Sequence, residues 1–534
     1  MRSLLIAAVA AFVLASPALA QSNGVVASAS PEATAAGVEV LEAGGNAIDA
    51  AVAVSMALGV TEPAGSGIGG QTQIIVHPPN GEPFVINGTS FSPAYVPEDA
   101  SAEQVRRGRT ASTVPSTVRV LSFAQTRFGS GAVSWADALA PAIRYADEGF
   151  AVSGFRYRSL LRSAGQLAED AAARAIYLDA DGRPAAEGAT LRQPLLAETL
   201  RRLARDGAED FYTGAIAREI AEDMTANGGW ITYEDLAGVP EPVVMAPVHA
   251  RYRGWDVYTL PPPAGGYVVL MALGALERAP QRHLSEEGAQ RSRWLLRALR
   301  GAHADRREHP VHNLAAPHEE VGQRLAPSYT RRLLQRPRGG ETTHFSVVDG
   351  DGMAVAVTQS IDSYFGAGVA HPRLGFLYNN YMQSLERDDP EHPFALGPRT
   401  PPYSSMSASI VARDGEPYLA VGSPGSARII SAVTQVISHW IDVDAGVEAA
   451  VAAERVHVVP NDYAYLEQRD VDPYLLRALA QDGFVLRRQN FGLVESGLDP
   501  YFGGVHAVAR EGEGWAGAAD PRRDGAVGFA SAPR

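Results

Sequence analysis

Residues 340–349 read Gly340-Glu341-Thr342-Thr343-His344-Phe345-Ser346-Val347-Val348-Asp349 and lie deep inside a chain of 534 residues. Threonine, valine and aromatic residues are typical of a strand, which we expect to begin here. A threonine hydroxyl needs a base before it can attack, and a threonine at a chain start carries one in its own α-amine. Cleavage of the Glu341–Thr342 bond would therefore make Thr342 an N-terminal nucleophile. The alternative interpretation is that two threonines merely start an exposed strand.

The first 20 residues have the pattern of a secretory signal. Arg2 supplies a positive start, Leu4–Leu14 is a short apolar run, and Ala18-Leu19-Ala20 is a small-residue cleavage site before Gln21. A retained membrane anchor is the alternative, but the apolar run is too short to span a bilayer comfortably. The rest of the sequence has no other run of spanning length, so the mature protein is predicted to be exported and soluble.

The composition excludes several kinds of chemistry. The chain contains no cysteine, and its 46 basic residues include no lysine. The first absence excludes thiol catalysis, disulfides and cysteine-based zinc sites, and the second excludes Schiff-base chemistry and P-loop nucleotide binding. An exported chain without disulfides fits a bacterial periplasm. The net charge of −14 argues against a nucleic-acid partner.

The sequence before the threonine pair is predicted to be rich in helices. Ser30 followed by Pro31 is a helix start, and Asn46 can cap a second, mostly apolar helix over Ala47–Leu58. Residues 130–330 are predicted to be largely helical, with the clearest patterns at Trp135–Glu148 and Ala289–Arg307.

A glycine-rich segment, Gly65–Gly70, separates the second helix from a strand-like run at Thr72–Val76. It matches G-x-G-x-x-G, but it follows a helix and precedes a strand, which is the reverse of a dinucleotide site. We interpret the segment as a turn, and we expect the protein to use no cofactor.

Several histidines and acids precede the threonine pair. They could suggest a metal, but no His-Glu-x-x-His pattern is present and no spacing defines a ligand set. We interpret the segment as a solvated connector and predict no metal site. The residues concerned are His303, Asp305, Glu308, His309, His312 and His318.

From the threonine pair onward the pattern changes to strands. Thr343–Asp349 and Met353–Ser360, joined by Asp349-Gly350-Asp351-Gly352, predict a hairpin. Helix-rich sequence followed by strand-rich sequence predicts an α+β fold in which helices pack on sheets and both parts form one body. The other predicted elements are strands at Gly375–Asn379, Ser407–Val411, Tyr418–Gly422 and His506–Arg510, and helices at Ala427–Trp440 and Val447–Ala453.

The run Thr342–Asp349 resembles the processing site of γ-glutamyltransferases, autoproteolytic amidohydrolases that open γ-glutamyl amides such as glutathione. In that family the small subunit begins at the first threonine of a Thr-Thr-His-aromatic-Ser-Val-x-Asp run. Other segments similar to the family cover most of the mature chain. They are Gly44–Ala53, Pro141–Ile143, Glu148–Phe150, Phe211–Gly214, Glu234–Leu236, Pro262–Gly266, Ala304–Arg306, Ser404–Ser407, Gly422–Gly425 and Asp520–Arg522.

The resemblance implies the N-terminal-nucleophile (Ntn) hydrolase fold, an αββα sandwich of two antiparallel sheets flanked by helices. After a signal at residues 1–20, a large subunit of residues 21–341 and a small subunit of residues 342–534 would arise from one precursor. Together they would form one composite domain.

The resemblance also implies a mechanism. Thr342 would attack the carbonyl of Glu341 to separate the subunits, and its freed amine would then act as general base toward a substrate amide. The backbone N–H groups of Gly425 and Ser426 would stabilise the oxyanion, because such groups survive the change from the family's second glycine to serine. The acyl-enzyme would pass to water or to an acceptor amine. Other residues at family site positions are Ser360, near the nucleophile, and Ser404 and Ser405, which touch the substrate carboxylate.

The chain departs from the family where substrate is recognised. Gly88-Thr89-Ser90 matches the segment that carries a carboxylate-binding arginine in the family, but contains none. Asp362 replaces an asparagine, Tyr381 a glutamine, and Ser384 the acid that holds the α-amine. After Gly69-Gly70, this chain has Gln71-Thr72-Gln73 where the family has further glycines and a phenylalanine.

These departures remove strong contacts to a zwitterionic glutamyl group, because they remove both a cation and an acid. Asp362 could replace the acid and Arg428 the cation. We therefore expect altered specificity with the amide chemistry intact.

Three functional hypotheses follow. The first is an exported, autoprocessing threonine amidohydrolase that acts on γ-glutamyl amides or, in a broader version, on another acyl group such as glutaryl. The second is a non-catalytic periplasmic binding protein with the same fold. The third is a metal-dependent hydrolase that uses the histidines of residues 303–318.

Overall fold

The computed structural model describes residues 23–331, 333, 343–459, 462–467, 471–487 and 497–531. The predicted signal at residues 1–20 and the predicted cleavage pair Glu341 and Thr342 lie outside the described residues. They therefore stay predictions, as does the division into two subunits.

Strands occur along the whole described chain. They are β1 (Gly24–Ser28), β2 (Gln71–His77), β3 (Phe84–Gly88), β4 (Phe150–Ala151), β5 (Thr190–Leu191), β6 (Val243–Met245), β7 (Val248–Tyr252), β8 (Trp255–Thr259), β9 (Thr343–Asp349), β10 (Ala354–Ser360), β11 (Ser409–Arg413), β12 (Glu416–Gly422), β13 (Val456–Val459), β14 (Tyr463–Leu466), β15 (Val485–Arg487), β16 (His506–Glu511), β17 (Gly514–Ala519) and β18 (Ala526–Phe529).

Helices separate most of these strands. They are α1 (Pro31–Glu42), α2 (Ala47–Thr61), α3 (Thr117–Phe128), α4 (Trp135–Glu148), α5 (Gly154–Leu167), α6 (Ala171–Tyr177), α7 (Pro194–Asp206), α8 (Ala215–Ala226), α9 (Tyr233–Ala237), α10 (Gly266–Leu276), α11 (Ala289–Glu308), α12 (Pro317–Leu325), α13 (Pro327–Thr330), α14 (Arg428–Asp442), α15 (Val447–Ala452) and α16 (Pro473–Gln481). Short 3-10 turns lie at Arg109–Ala111, Ala208–Phe211, Gln281–His283, Tyr381–Ser384 and Pro500–Phe502.

Two large antiparallel sheets form the middle of the molecule. The first has the strand order β18-β1-β9-β10-β2-β3-β6, and the second has the order β17-β16-β12-β11-β8-β7. One apolar core joins the first sheet to α1–α4, α7 and α8, and another joins the second sheet to α10, α11, α14 and α16. A third core lies between the sheets. The layers are therefore helix, sheet, sheet and helix, which confirms the predicted α+β sandwich.

The predicted helix starts are confirmed because their capping groups are satisfied. Ser30 accepts a hydrogen bond from Ala33 N at 3.1 Å, and Asn46 forms a reciprocal capping box with Asp49 at the start of α2. Trp135–Glu148 is α4, with the predicted bounds. The hairpin after the threonine pair is β9–β10.

One prediction about a strand is wrong. Residues 375–379 form no strand; an isolated bridge, Ala370 to Leu377, is all the pairing there. The run is apolar because it packs against α7, and Gly375 with φ +73° turns the chain away from an extended path. Residues 130–330 are largely helical, as predicted, and β6, β7 and β8 within this range join the two large sheets. β6 and β7 lie at sheet edges and are short, so their sequence pattern is weak.

The chain on either side of the threonine pair is interleaved within one sheet. β9 and β10 lie between β1 and β2, and β9 pairs with β1 from Ser346 to Asp349. Strands from before and after the threonine pair therefore belong to the same sheet. Among the described residues, no helix is both long and apolar enough to cross a membrane.

Candidate active site

The described structure resumes at Thr343, the first residue of β9, which pairs with Gln359 of β10. Thr343 is buried and faces the helix side of the sheet, where Gly65 makes room for it. A Cβ on Gly65 would lie 2.2 Å from Thr343 Oγ1.

His344 lies on the inter-sheet face of β9, which looks toward the second sheet, and is fully buried. Ser346 Oγ donates to the carbonyl of His506 at 3.2 Å, so it accepts from His344 Nε2 at 3.0 Å, and His344 Nδ1 accepts from Thr358 Oγ1 at 3.1 Å. Burial, with a smaller contribution from His506, holds the pKa of His344 well below its usual value. The imidazole is therefore neutral and serves to position β9.

Ser360 ends β10 directly beside Gln71, the first residue of β2, and both are fully buried. Ser360 Oγ accepts from the backbone N–H of Asp362 at 2.8 Å, which supports a φ of +76° at that residue. Gln383 Nε2, at 2.8 Å, and Ser384 Oγ, at 3.4 Å, donate to Asp362 Oδ2. Burial raises the pKa of Asp362 to about 6 against the effect of these two donors.

Tyr381 is buried next to this group, with its backbone N–H bonded to Asn379 Oδ1 at 3.0 Å. Burial raises the pKa of Tyr381, the charge of Asp362 adds to this, and the polar side chains that face the hydroxyl oppose it. These side chains are Ser360, Gln71 and Ser404.

Gly425 and Ser426 lie in the turn between β12 and α14. Their φ angles are +125° and +69°, so both occupy backbone conformations that favour glycine. Within the described part of the chain, neither backbone N–H donates a hydrogen bond. Their carbonyls accept from Arg428 N and Ile429 N, so the two N–H groups stand at the start of α14. Free N–H groups at a helix start can stabilise an anion.

Ser404 and Ser405 belong to a loop held by Arg306 of α11. Arg306 Nη1 donates to Ser405 Oγ at 3.0 Å, and Nη2 donates to the carbonyl of Ser404. The guanidinium also lies over the ring of Tyr403, 4.5 Å from its centre. Arg306 is buried and forms no ion pair within the described ranges. The sequence indicated this arginine only as part of a family-like segment, since residue type alone does not reveal its burial.

Thr89 lies just past the end of β3, where Gln73 Nε2 donates to its hydroxyl at 3.0 Å. A cavity of about 320 Å³ opens beside it, lined by both polar and apolar side chains, with Arg119 and Arg399 among them. The structure thus places Thr89 on the same face of the sheet as Gln71 and Gln73. The possible replacement cation, Arg428, is instead buried over the ring of Tyr501 at 4.6 Å from its centre.

The histidines and acids of residues 303–318 are not gathered into a metal site. His309 contacts Asp305 at 3.4 Å, whereas His318 contacts the carbonyl of Ala246 at 2.9 Å. Among the residues that the structure describes, no group of three or more His, Asp or Glu side chains could hold a metal ion.

The four-layer sandwich, with Thr343 at the start of a central strand, is the architecture of the Ntn hydrolases. Residues 33–530 match the family described as Gamma-glutamyltranspeptidase, and the chain belongs to that family of hydrolase and transferase enzymes. It is 34% identical over 473 residues to the glutathione hydrolase proenzyme of Escherichia coli K12, with 82% of this chain and 81% of that protein covered. It is 32% identical over 468 residues to the acylase ACY 1 proenzyme of Pseudomonas sp. strain SE83, with 82% of each covered.

Solved structures agree with this assignment. The cephalosporin acylase from Bacillus halodurans has a TM-score of 0.85 at 27% identity and covers 95% of this chain and 96% of its own. The γ-glutamyltranspeptidase of Helicobacter pylori has a TM-score of 0.53 at 28% identity, with 57% of this chain and 89% of that chain covered.

Proposed function

We propose that this protein is an exported, autoprocessing threonine amidohydrolase. Thr342 attacks the carbonyl of Glu341 and separates residues 21–341 from residues 342–534. The freed α-amine then takes the proton of the Thr342 hydroxyl as that oxygen attacks a substrate amide. The observation that most supports this proposal is that β9 begins at Thr343 in the middle of the first sheet. The neighbouring strand, β10, ends at Ser360.

The remaining roles follow from the contacts at the site. The N–H groups of Gly425 and Ser426 donate to the oxyanion, because each is free of a hydrogen bond within the described residues. Ser404 and Ser405, held by Arg306, receive the polar end of the acyl group. The acyl-enzyme is released to water or to an acceptor amine.

The acyl group is a γ-glutamyl group, as in glutathione, or a glutaryl-type group that lacks the α-amine. Similarity to glutathione hydrolases favours the first, and similarity to acylases favours the second. Asp362 supports γ-glutamyl binding, because its carboxylate can pair with an α-amine. The lack of an arginine in the Thr89 segment supports the glutaryl alternative.

The test begins with the intact mass of purified protein. We expect two fragments that begin at Gln21 and Thr342 in the wild type, and one uncut chain in Thr342→Ala. Thr343→Ala is the matched control, because its hydroxyl faces Gly65 and not the inter-sheet face. An uncut wild-type chain would overturn the proposal and favour a non-catalytic binding protein. Turnover of γ-glutamyl-p-nitroanilide against glutaryl-p-nitroanilide then identifies the acyl group.

A further inference from the structure

The cavity of about 320 Å³ beside Thr89 lies at an edge of the first sheet. β6 pairs with β3 only from Val85 to Asn87, and beyond this pairing residues 88–92 and 238–242 form two walls of the cavity. Helix α3 contributes a third wall. Ligand pockets in proteins usually measure about 300–1,000 Å³, so the cavity has room for a small molecule. The apolar part of its lining consists of Phe91, Val114, Val120, Val239, Pro240 and Val243.

This cavity offers different groups from those proposed to bind the acyl group. Neither Tyr381 nor Ser405 lines it. Thr89 does, but its hydroxyl is already used, because it accepts from Gln73 Nε2 at 3.0 Å and donates to Asn87 Oδ1 at 2.8 Å. A ligand in the cavity must therefore be held by other side chains of the lining.

Arg399 is a cation of the cavity wall that has no partner of its own. Its backbone N–H donates to the carbonyl of Pro93 at 3.3 Å, and Thr400 N donates to Ser92 Oγ at 2.8 Å, so the chain is fixed on both sides of the side chain. A Cβ on Gly238, in another wall, would lie 3.9 Å from Arg399 Nη1. Within the described ranges, the guanidinium forms neither an ion pair nor a hydrogen bond. Its charge is therefore available to a ligand.

Arg119 of α3 adds a second positive charge to the lining. Its guanidinium pairs with Glu209 and lies over the ring of Tyr212, 4.3 Å from the ring centre, but its Nε is buried without a hydrogen-bond partner. Buried N–H groups are nearly always paired in native proteins. The acids of the lining do not neutralise the two arginines, since Asp235 already accepts three hydrogen bonds and Glu241 is exposed to solvent. The cavity thus combines apolar walls with positive charge.

We propose that this cavity is a second ligand site, which binds a small carboxylate with an apolar body. The carboxylate pairs with Arg399, since a guanidinium matches the geometry of a carboxylate, and Arg119 adds to the attraction. The apolar body lies between residues 88–92 and residues 238–242. The inference goes beyond the proposed amidohydrolase function and does not depend on it.

Calorimetric titration with 4-ethylbenzoate and with its neutral analogue 4-ethylbenzamide tests the inference. We expect the wild type to bind the carboxylate about tenfold to a hundredfold more tightly than the amide, as one charged hydrogen bond predicts. Arg399→Met should remove this preference, and Arg399→Lys should keep part of it. Arg387→Met is the matched control, because it removes an exposed arginine of the same chain segment that does not line the cavity.

A variant that fills the cavity tests where the ligands bind. Val243 lines the cavity and its residue is 60% exposed, so the fold should tolerate Val243→Trp, and the larger side chain should weaken the binding of both ligands. Val485→Trp is the control, since Val485 is also an exposed valine of an edge strand but lies outside the cavity. Equal binding in these two variants would overturn the inference.

Three further results would also overturn it. They are a wild type that binds neither ligand, a wild type that binds both equally, and a preference for the carboxylate that survives in Arg399→Met but is lost in Ser405→Ala. The last result would place the carboxylate at the proposed acyl site. Calorimetry needs no turnover, so a protein that cleaves no amide but binds 4-ethylbenzoate through Arg399 would refute the proposed function and leave this inference standing.

Discussion

Gly422 lies directly against the imidazole of His344, so that a Cβ on Gly422 would be 2.3 Å from His344 Cε1. This contact joins the second sheet, where β12 leads into the turn of Gly425 and Ser426, to the strand that begins after Thr342. The relative position of β9 and the proposed oxyanion donors therefore depends on a glycine.

Gly422→Ala should destabilise the protein by about 1–3 kcal/mol and slow self-cleavage. The added methyl group would press on the buried imidazole of His344, which cannot move freely because both of its nitrogens are hydrogen-bonded. Urea unfolding and intact mass over time measure the two effects. Gly165→Ala is the control, since a Cβ there meets no atom within 4 Å and lies in helix α5. Equal stability of Gly422→Ala and Gly165→Ala would contradict this account.

Ser426→Gly should keep activity and raise stability by up to about 1 kcal/mol. The reason is that Ser426 has a φ of +69°, where a side chain is strained and glycine is not. Ser426→Val should be less stable than the wild type, because β-branching is worse tolerated there. The midpoints of urea unfolding test this order, and a valine variant as stable as the glycine variant would disprove it.

Arg522→Met should destabilise the protein by about 3–5 kcal/mol, the usual cost of breaking a buried ion-pair network. Arg522 is fully buried and donates to Glu467 Oε1 at 2.8 Å and to Asp520 Oδ1 at 3.1 Å. Burial opposes the charge of Asp520, but Arg455 and Arg522 hold its pKa at about 2.

The control for this change is Arg183→Met, which removes an exposed pair with Asp181 and should cost no more than about 1 kcal/mol. Urea unfolding measures both variants. A loss at Arg522 as small as that at Arg183 would refute a structural role for the network.

Stability should fall as the pH drops below about 6.5, with His506 as one cause. Burial lowers the pKa of His506 to about 3 against the opposing charge of Asp520. The pKa of a histidine in the unfolded chain is about 6.5. Between about pH 3 and pH 6.5 the unfolded chain therefore binds a proton at His506 that the folded protein does not bind. The stabilisation is complete above about pH 6.5 and is lost toward pH 3, at about 1.4 kcal/mol per pH unit.

Urea midpoints from pH 7 to pH 4 measure this slope. His506→Gln should have a shallower slope than the wild type, whereas His318→Gln, at an exposed position, should keep the wild-type slope. Identical slopes in all three proteins would exclude His506 as a cause.

Substrate preference should change near pH 6, because the pKa of Asp362 is raised to about 6. Above this pH the carboxylate is ionised and attracts an α-ammonium group, while below it the neutral acid no longer repels a glutaryl carboxylate. The ratio of kcat/KM for γ-glutamyl-p-nitroanilide to that for glutaryl-p-nitroanilide should therefore rise with pH. Asp362→Asn should remove the change, and Asp351→Asn, on the exposed hairpin turn, should not. A flat ratio in the wild type would rule out Asp362 as the amine partner.

Much of the fold followed from local pattern. Ser30 and Asn46 carry their own capping chemistry, and the hairpin after Thr342 combines two apolar strands with a glycine-rich turn. Such signals lie within a few residues of the element that they define. The family likeness of the threonine run extended the prediction to the layer architecture and the site residues.

The sequence by itself determined the helix starts, the central hairpin, the excluded chemistries and the family likeness, because each depends on neighbouring residues or on composition. Only the tertiary structure decided that Gly422 lies against His344, that Arg306 holds the serine loop, and that Arg428 stacks on Tyr501. These properties arise from residues more than 70 positions apart in the chain, and burial and the direction of a side chain exist only once the sheets are packed.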